Sequence, residues 1–157
     1  MLDYCVFNCA DEIKKQQNLI EAAHPIHQAF RASFTPFATL AGYIGHLCKI
    51  VDEGATFVVV KETINGRDSA VIGVILYRMH HNTYQNKLYF LEDLVISETC
   101  RSQGYGGDAL AWCESQAKQA GCEFISLDSG VFRPKAHKFY FAKDYIVESF
   151  HFIKKLN

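Results

Sequence analysis

The spacing of apolar residues changes period along the chain, and each change marks an element. Residues 2–9, LDYCVFNC, alternate weakly and predict a first strand. Asp11 is placed to cap a helix running to about Ala23, with Ile13, Ile20 and Ala23 on one side and Pro25 breaking or kinking it. Phe37, Leu40, Ala41, Ile44, Leu47, Cys48 and Val51 recur at i, i+3, i+4 and i+7, which predicts an amphipathic helix from near Pro36 to just before Gly54. The texture then turns β-rich. ATFVVVKETI and SAVIGVILYRMHH read as two strands joined through NGRD, where Asn65-Gly66 is a strong hairpin signal. KLYFLEDLVIS (87–97) is a further strand after the turn HNTYQN.

A helix is predicted from about Tyr105 to Ala120, with Leu110, Cys113, Ala117 and Ala120 lining its buried side and Gly121 stopping it. CEFISLD (122–128) is a strand, PKAHKFYFAK (134–143) a short helix starting at Pro134, and YIVESFHFIKK (145–155) a last strand. The order β-α-α-β-β-β-α-β-α-β predicts a mixed α/β (α+β) fold on one sheet, antiparallel in its front half with a β-α-β crossover in the middle. No repeat, linker or low-complexity stretch divides it, so residues 1–157 are expected to form one domain.

Composition adds exclusions. Sixteen Lys and Arg stand against seventeen Asp and Glu, a formal net charge of −1, so nucleic acid is not an expected partner. No apolar run approaches the ~20 residues of a membrane span. The start MLDYCVFNCADEIKKQ has neither a charged n-region nor a long h-region, and a signal peptide is not expected. Cys5, Cys9, Cys48, Cys100, Cys113 and Cys122 include no C-x-x-C pair; they read as reduced thiols of a cytoplasmic protein. His80 and His81 are neighbours on a strand, point to opposite faces, and make no chelate; no metal site is expected.

The informative stretch is CRSQGYGGDAL (100–110), with glycines at 104, 106 and 107 between a strand and a helix. Unpaired N–H groups at a helix start, reached closely through glycine and flanked by Arg101, suit a phosphate or pyrophosphate. Gly107 is followed by Asp108 and Ala109 rather than Lys-Ser/Thr, which rejects a Walker A loop. GYGGDA (104–109) does fit the dinucleotide fingerprint, with Asp128 further on. However, SETCRSQ separates it from its strand, and several strands come before it.

R/Q-x-x-G-x-G/A is the better pattern, met by Arg101, Gly104 and Gly106. With LEDLVIS before it, a helix after it, and AHKFYFAKDY (136–145) similar to an A-x-x-F-Y-x-x-x-G-F segment, the chain resembles the GNAT superfamily of N-acetyltransferases, in particular a bacterial single-domain branch. Arg133 stands where that family often has asparagine, and Asp144 where it has the glycine of the GF pair. The resemblance implies a GNAT fold, a central mostly antiparallel sheet with a β-α-β acetyl-CoA-binding core and flanking helices. It implies acetyl-CoA as cosubstrate, with Leu94, Val95 and Ile96 pairing with the pantetheine amides. Arg101, Ser102, Gln103, Gly104, Tyr105, Gly106 and Gly107 would lie around the pyrophosphate. Ser129 beside Asp128 would flank the thioester, and His137 would meet the cofactor or cap its pocket.

Tyr140 takes the family's position for the acid that protonates the leaving thiolate, with Phe139 and Phe141 expected as its core neighbours. Glu92 and Asp93 are two carboxylates in an apolar run, where unpaired charge is costly. Alternation predicts opposite faces, with one carboxylate in the substrate cleft; the resemblance favours Glu92, since that acidic position also occurs in polyamine acetyltransferases of the superfamily. Tyr43, Tyr77, Tyr84, Phe34 and Phe37 are candidates for the acceptor side. The resemblance thus implies acetyl transfer to a primary amine of a small molecule, peptide or protein. The alternatives are an acyl-CoA-binding or sensing domain without catalysis and a toxin-like transferase acting on aminoacyl-tRNA. The C-terminal strand could pair across a homodimer.

Overall fold

The structure is a computed structural model that describes residues 1–64 and 68–156. Asn65 and Gly66, the expected hairpin, lie outside the described residues. The elements are β1 (Leu2–Phe7), α1 (Ala10–Lys15), α2 (Gln17–Phe30), α3 (Leu40–Asp52), β2 (Ala55–Ile64), β3 (Asp68–His81), β4 (Lys87–Ile96), α4 (Tyr105–Gln119), β5 (Phe124–Leu127) and α5 (Pro134–Phe141). The five strands form one sheet in the order β1-β2-β3-β4-β5. β1 to β4 pair antiparallel throughout. The Glu123 N–H donates to Lys87 O, which sets the start of β5 beside the start of β4, as a crossover through α4 requires.

Three elements depart from expectation. The first helix breaks at Gln16 (φ −118°, ψ 44°), while Pro25 sits inside α2, which runs on to Phe30. Proline removes the N–H that would bond four residues back, at about 3 kcal/mol. Burial of Ile20, Ala23 and His27 on the same helix offsets that cost. Cys9, not Asp11, occupies the cap position of α1. Pro36 starts a 3₁₀ turn over Thr35–Ala38 rather than α3, which begins at Leu40 with the Thr39 side chain accepting from Gly42 N–H. Finally, residues 145–156 form no strand. Their β-forming sequence lacks a paired neighbour, and propensity alone does not make a sheet.

The chain divides into two compact units, Met1–Ser126 and Leu127–Asn157. In the first unit the sheet has two covered faces. On one, Phe57, Val59, Val74, Leu76 and Val95 pack against Ile20, Ala23, Phe37, Tyr43 and Leu47 of the helical layer. On the other, Tyr77 and Tyr89 stack with ring centroids 4.3 Å apart, and Trp112 of α4 stacks on Tyr4 at 4.4 Å. Each fully buried Leu, Ile or Phe contributes about 1.5–3 kcal/mol.

The pairing of β3 with β4 skips one residue. Leu76 of β3 faces Asp93, but the next residue, Tyr77, faces Leu91. Glu92 is therefore the extra residue of a β-bulge, and the in–out alternation is interrupted at that position.

Candidate active site

The glycine loop is built as its sequence requires. Gly104 sits at φ +88° as the N-cap of α4, a left-handed conformation that other residues adopt only under strain. Ser102, at φ 64°, is left-handed without being glycine, a strain of order 1–2 kcal/mol that the loop retains. The N–H groups of Gly107 and Asp108 donate to Gly104 O. Those of Ser102, Gln103, Gly104, Tyr105 and Gly106 make no backbone hydrogen bond among the described residues. Five donors without a backbone partner thus gather at the start of a 15-residue helix, an arrangement that suits an anion. Tyr105 OH donates to Glu62 of β2 and Tyr4 OH to Asp108 O, so the helix start is tied to the first two strands. The carboxylate raises the Tyr105 phenol above its ordinary pKa. Arg101 pairs with Glu98 at 3.0 Å, and its Nε reaches Ile96 O at 3.4 Å, leaving the guanidinium half exposed at the loop's edge.

Leu94, Val95 and Ile96 end β4 and pair on one side with Ile75, Val74 and Gly73 of β3. β5 starts opposite Lys87 and has four residues against ten in β4, so it stops short of these three. Their other edge keeps backbone donors and acceptors that an amide chain can pair with, as an added strand would. It leads straight to the loop, because Ile96 is followed by the Glu98–Cys100 turn and then by Arg101.

The carboxylates behave differently from expectation. They do not face opposite sides: the bulge at Glu92 brings both to the helical face. Asp93 is 6 % exposed and both its oxygens are taken, Oδ2 by His27 Nε2 at 2.8 Å and Oδ1 by Arg31. A carboxylate only accepts, so Nε2 carries the hydrogen, and on the other side of the ring Nδ1 is hydrogen-bonded with Tyr43 OH, 3.1 Å away. Burial pushes the Tyr43 phenol far above its ordinary pKa, with Asp93 adding to it. His27 is enclosed by the rings of Phe37, Tyr43 and Phe57. Glu92 pairs with Arg78 Nε, while Arg78 Nη1 donates to Glu53 O at the end of α3. Glu92 remains partly exposed, so it is the reachable carboxylate of this face, whereas Asp93 is an anchor.

The second unit holds Ser129, His137 and Tyr140. His137 Nε2 lies 3.0 Å from Gly130 O, turning the ring onto its own loop. Tyr140 is half-buried, 5.1 Å from the Phe139 ring and 5.6 Å from Tyr145, ring centroid to centroid. Phe141, expected in a core, is exposed. Asp128 pairs with His151 at 3.1 Å.

Of the expected acceptor-side aromatics, Tyr43 and Phe37 are core residues, and Tyr77 is buried on the opposite face among Tyr89 and Trp112; Phe34 and Tyr84 are exposed. Sequence reasoning missed His27, Arg31 and Arg78. A signal existed for the first: His27 falls at i+7 from Ile20 and i+4 from Ala23, a polar residue on a core stripe, which demands a buried partner. Among the described residues no group of His, Cys, Asp or Glu could hold a metal ion. No helix there is long and apolar enough to cross a membrane.

The family model described as acetyltransferase (GNAT) family matches residues 21–143. The aminoalkylphosphonate N-acetyltransferase of Salmonella typhimurium is 35 % identical over 91 residues, 57 % of this chain and 59 % of that protein. An uncharacterized N-acetyltransferase of Bacillus subtilis, YhdJ, is 42 % identical over 66 residues, 41 % of this chain and 46 % of that one. The chain thus spans about half to three-fifths of the curated relatives it matches. Among solved structures, a Trypanosoma brucei acetyltransferase superposes with a TM-score of 0.73 at 15 % identity, covering 99 % of this chain and 100 % of that one. The aminoglycoside N-acetyltransferase AAC(6')-Iy in complex with CoA gives 0.71 at 14 %, covering 99 % and 95 %. The fold is that of these enzymes.

Proposed function

Because the chain belongs to the GNAT acetyltransferase family, we propose that it transfers the acetyl group of acetyl-CoA to a primary amine of a small molecule, with the whole chain serving one transferase domain in the cytoplasm. The observation that carries this reading is the row of unpaired N–H groups from Ser102 to Gly106 at the start of α4, continuous with the open edge of Leu94–Ile96. A pyrophosphate suits the first and the pantetheine amides the second. The named relative from Salmonella, an N-acetyltransferase of aminoalkylphosphonates, supports a small acceptor over a peptide.

The amine nitrogen attacks the thioester carbonyl; a C–N bond forms and the C–S bond breaks. An alkylamine is mostly protonated at neutral pH, so its proton has to leave first. Glu92, the partly exposed carboxylate at the bulge, is the proposed acceptor of that proton, directly or through water. The leaving thiolate takes a proton from Tyr140, whose phenol donates at neutral pH and regains its proton from the nitrogen, which gives up its second proton as the amide forms. Ser129 and His137 are proposed contacts of the cofactor.

Calorimetric titration with acetyl-CoA, with NADH and ATP as controls, tests the reading. Micromolar binding of acetyl-CoA alone is expected; binding of NADH instead would refute it. Glu92→Gln and Tyr140→Phe are each expected to lower kcat by about 10²-fold or more with acetyl-CoA affinity retained, the range of general acid–base catalysis. A folded protein that binds acetyl-CoA yet acetylates no amine would favour the sensing domain.

A further inference from the structure

Resting on that reading, we propose that Arg31 is the acceptor-recognition residue, binding an acidic group (a carboxylate or phosphonate) carried by the same molecule whose amine is acetylated. Arg31 ends α2, and its guanidinium is 44 % exposed although its partner Asp93 is almost wholly buried. Burying a carboxylate is expensive unless it is fully bonded. Here it is bonded on one side by His27, itself fixed by Tyr43, so a Tyr43–His27–Asp93 chain reaches from the core of the fold to hold one arginine nitrogen. The guanidinium also lies over the Phe30 ring, 4.8 Å from its centroid. Position and plane are therefore set before any ligand arrives.

A guanidinium carries five N–H donors in a rigid fork. Arg31 spends Nη2 on Asp93 and makes no other side-chain hydrogen bond among the described residues. With the side chain 44 % exposed, donors remain open to a ligand, and the planar fork suits bidentate capture of a carboxylate or phosphonate. Arg31 is bonded to Asp93, the chain neighbour of the carboxylate proposed to receive the amine's proton, and the bulge turns Glu92 and Asp93 to one face. A molecule with an amine at one end and an acidic group at the other meets complementary charge at both. Both oxygens of Asp93 being occupied, the ammonium is steered to Glu92 and the acid to Arg31.

The test compares acceptors that differ only in the acidic group: 2-aminoethylphosphonate and β-alanine against ethylamine, for the wild type, Arg31→Lys and Arg31→Met. The wild type is expected to favour the acidic amines in kcat/KM by about tenfold or more, since a site built for a bonded group rejects the analogue lacking it. In Arg31→Met that ratio collapses toward one through a rise in KM for the acidic amines. Arg31→Lys, which keeps the charge and the partner for Asp93 but loses the fork, retains only part of it. Equal use of ethylamine and its phosphonate by the wild type overturns the subsite and leaves acetyl transfer standing, as does an unchanged ratio in Arg31→Lys and a folded Arg31→Met. Acetyl-CoA binding with no turnover of any of the three amines overturns both the reaction and the subsite.

Discussion

The two faces of the sheet are packed by different chemistry. Toward α2 and α3 the core contains a charged carboxylate, an imidazole and a phenol bonded in sequence, Asp93–His27–Tyr43. Toward α4 the interior is a stack of aromatic rings, Tyr4–Trp112 and Tyr77–Tyr89, beside Cys113. There the Tyr89 hydroxyl is buried with no nitrogen or oxygen partner among the described residues, only the Cys113 sulfur beside it. Burial pushes its pKa far up and pushes the Cys113 thiol up to about 11. The first face is specified by hydrogen bonds that cannot be left half made; the second by shape. A polar chain ending in an exposed arginine suits a surface that has to orient something, and a dry stack suits one that holds the glycine loop still.

Substitutions can break this contrast or sharpen it. The largest effect is expected for His27→Leu. It leaves Asp93 half-paired and the Tyr43 hydroxyl unpaired, a loss of about 3–5 kcal/mol in urea unfolding; a loss below about 1 kcal/mol would mean the polar chain does not hold the core. On the other face, Gly104→Val puts a β-branched residue at φ +88°, a strain that the loop would relieve by moving its N–H groups. Acetyl-CoA affinity should fall about 100-fold or more, roughly 3 kcal/mol, and unchanged affinity in a folded variant would remove the phosphate role of the loop.

A titration comes next. The Cys113 thiol has a folded pKa of about 11 against an ordinary 9.0, so the native state holds its proton longer than the unfolded chain does. The stability this provides is complete below about pH 9 and is lost as pH rises toward 11, up to about 3 kcal/mol in all. Cys113→Ala should flatten the alkaline limb of the stability–pH curve; an identical slope would show that another group governs it. The smallest test is a pair of opposite signs. Tyr43→Phe should cost about 1 kcal/mol by removing the partner of His27, whereas Tyr89→Phe should be neutral or stabilising, because it deletes a hydroxyl that is desolvated and without an oxygen or nitrogen partner.

The same contrast explains which features are legible in the sequence. The glycine loop, α4 and its buried stripe, the antiparallel strands and the crossover to β5 are local patterns: turn residues, periodicity and a motif of fixed spacing. Leu94–Ile96 and Gly104 lie within a dozen residues of one another, so their continuity along one edge is local too. The division of labour between Glu92 and Asp93 is not legible, because it depends on a bulge that no spacing in EDL announces and on His27 and Arg31, more than sixty residues away in the chain. The expected last strand is absent for a related reason. YIVESFHFIKK has strand chemistry, but a strand exists only in a pairing, and pairing is a property of the rest of the molecule.

The bulge at Glu92 also says something about how such a chain can change over generations. An extra residue is the one a strand can lose at least cost. Deleting it would close the pairing so that Leu91 and Asp93 stand next to each other opposite Tyr77 and Leu76, and every residue from Asp93 to Ile96 would keep the face it has now. Descendants can therefore discard this carboxylate in a single step without disturbing the anchor beside it or the open edge beyond it. A relative with a one-residue gap here would lose the reachable carboxylate of this face and keep the buried one.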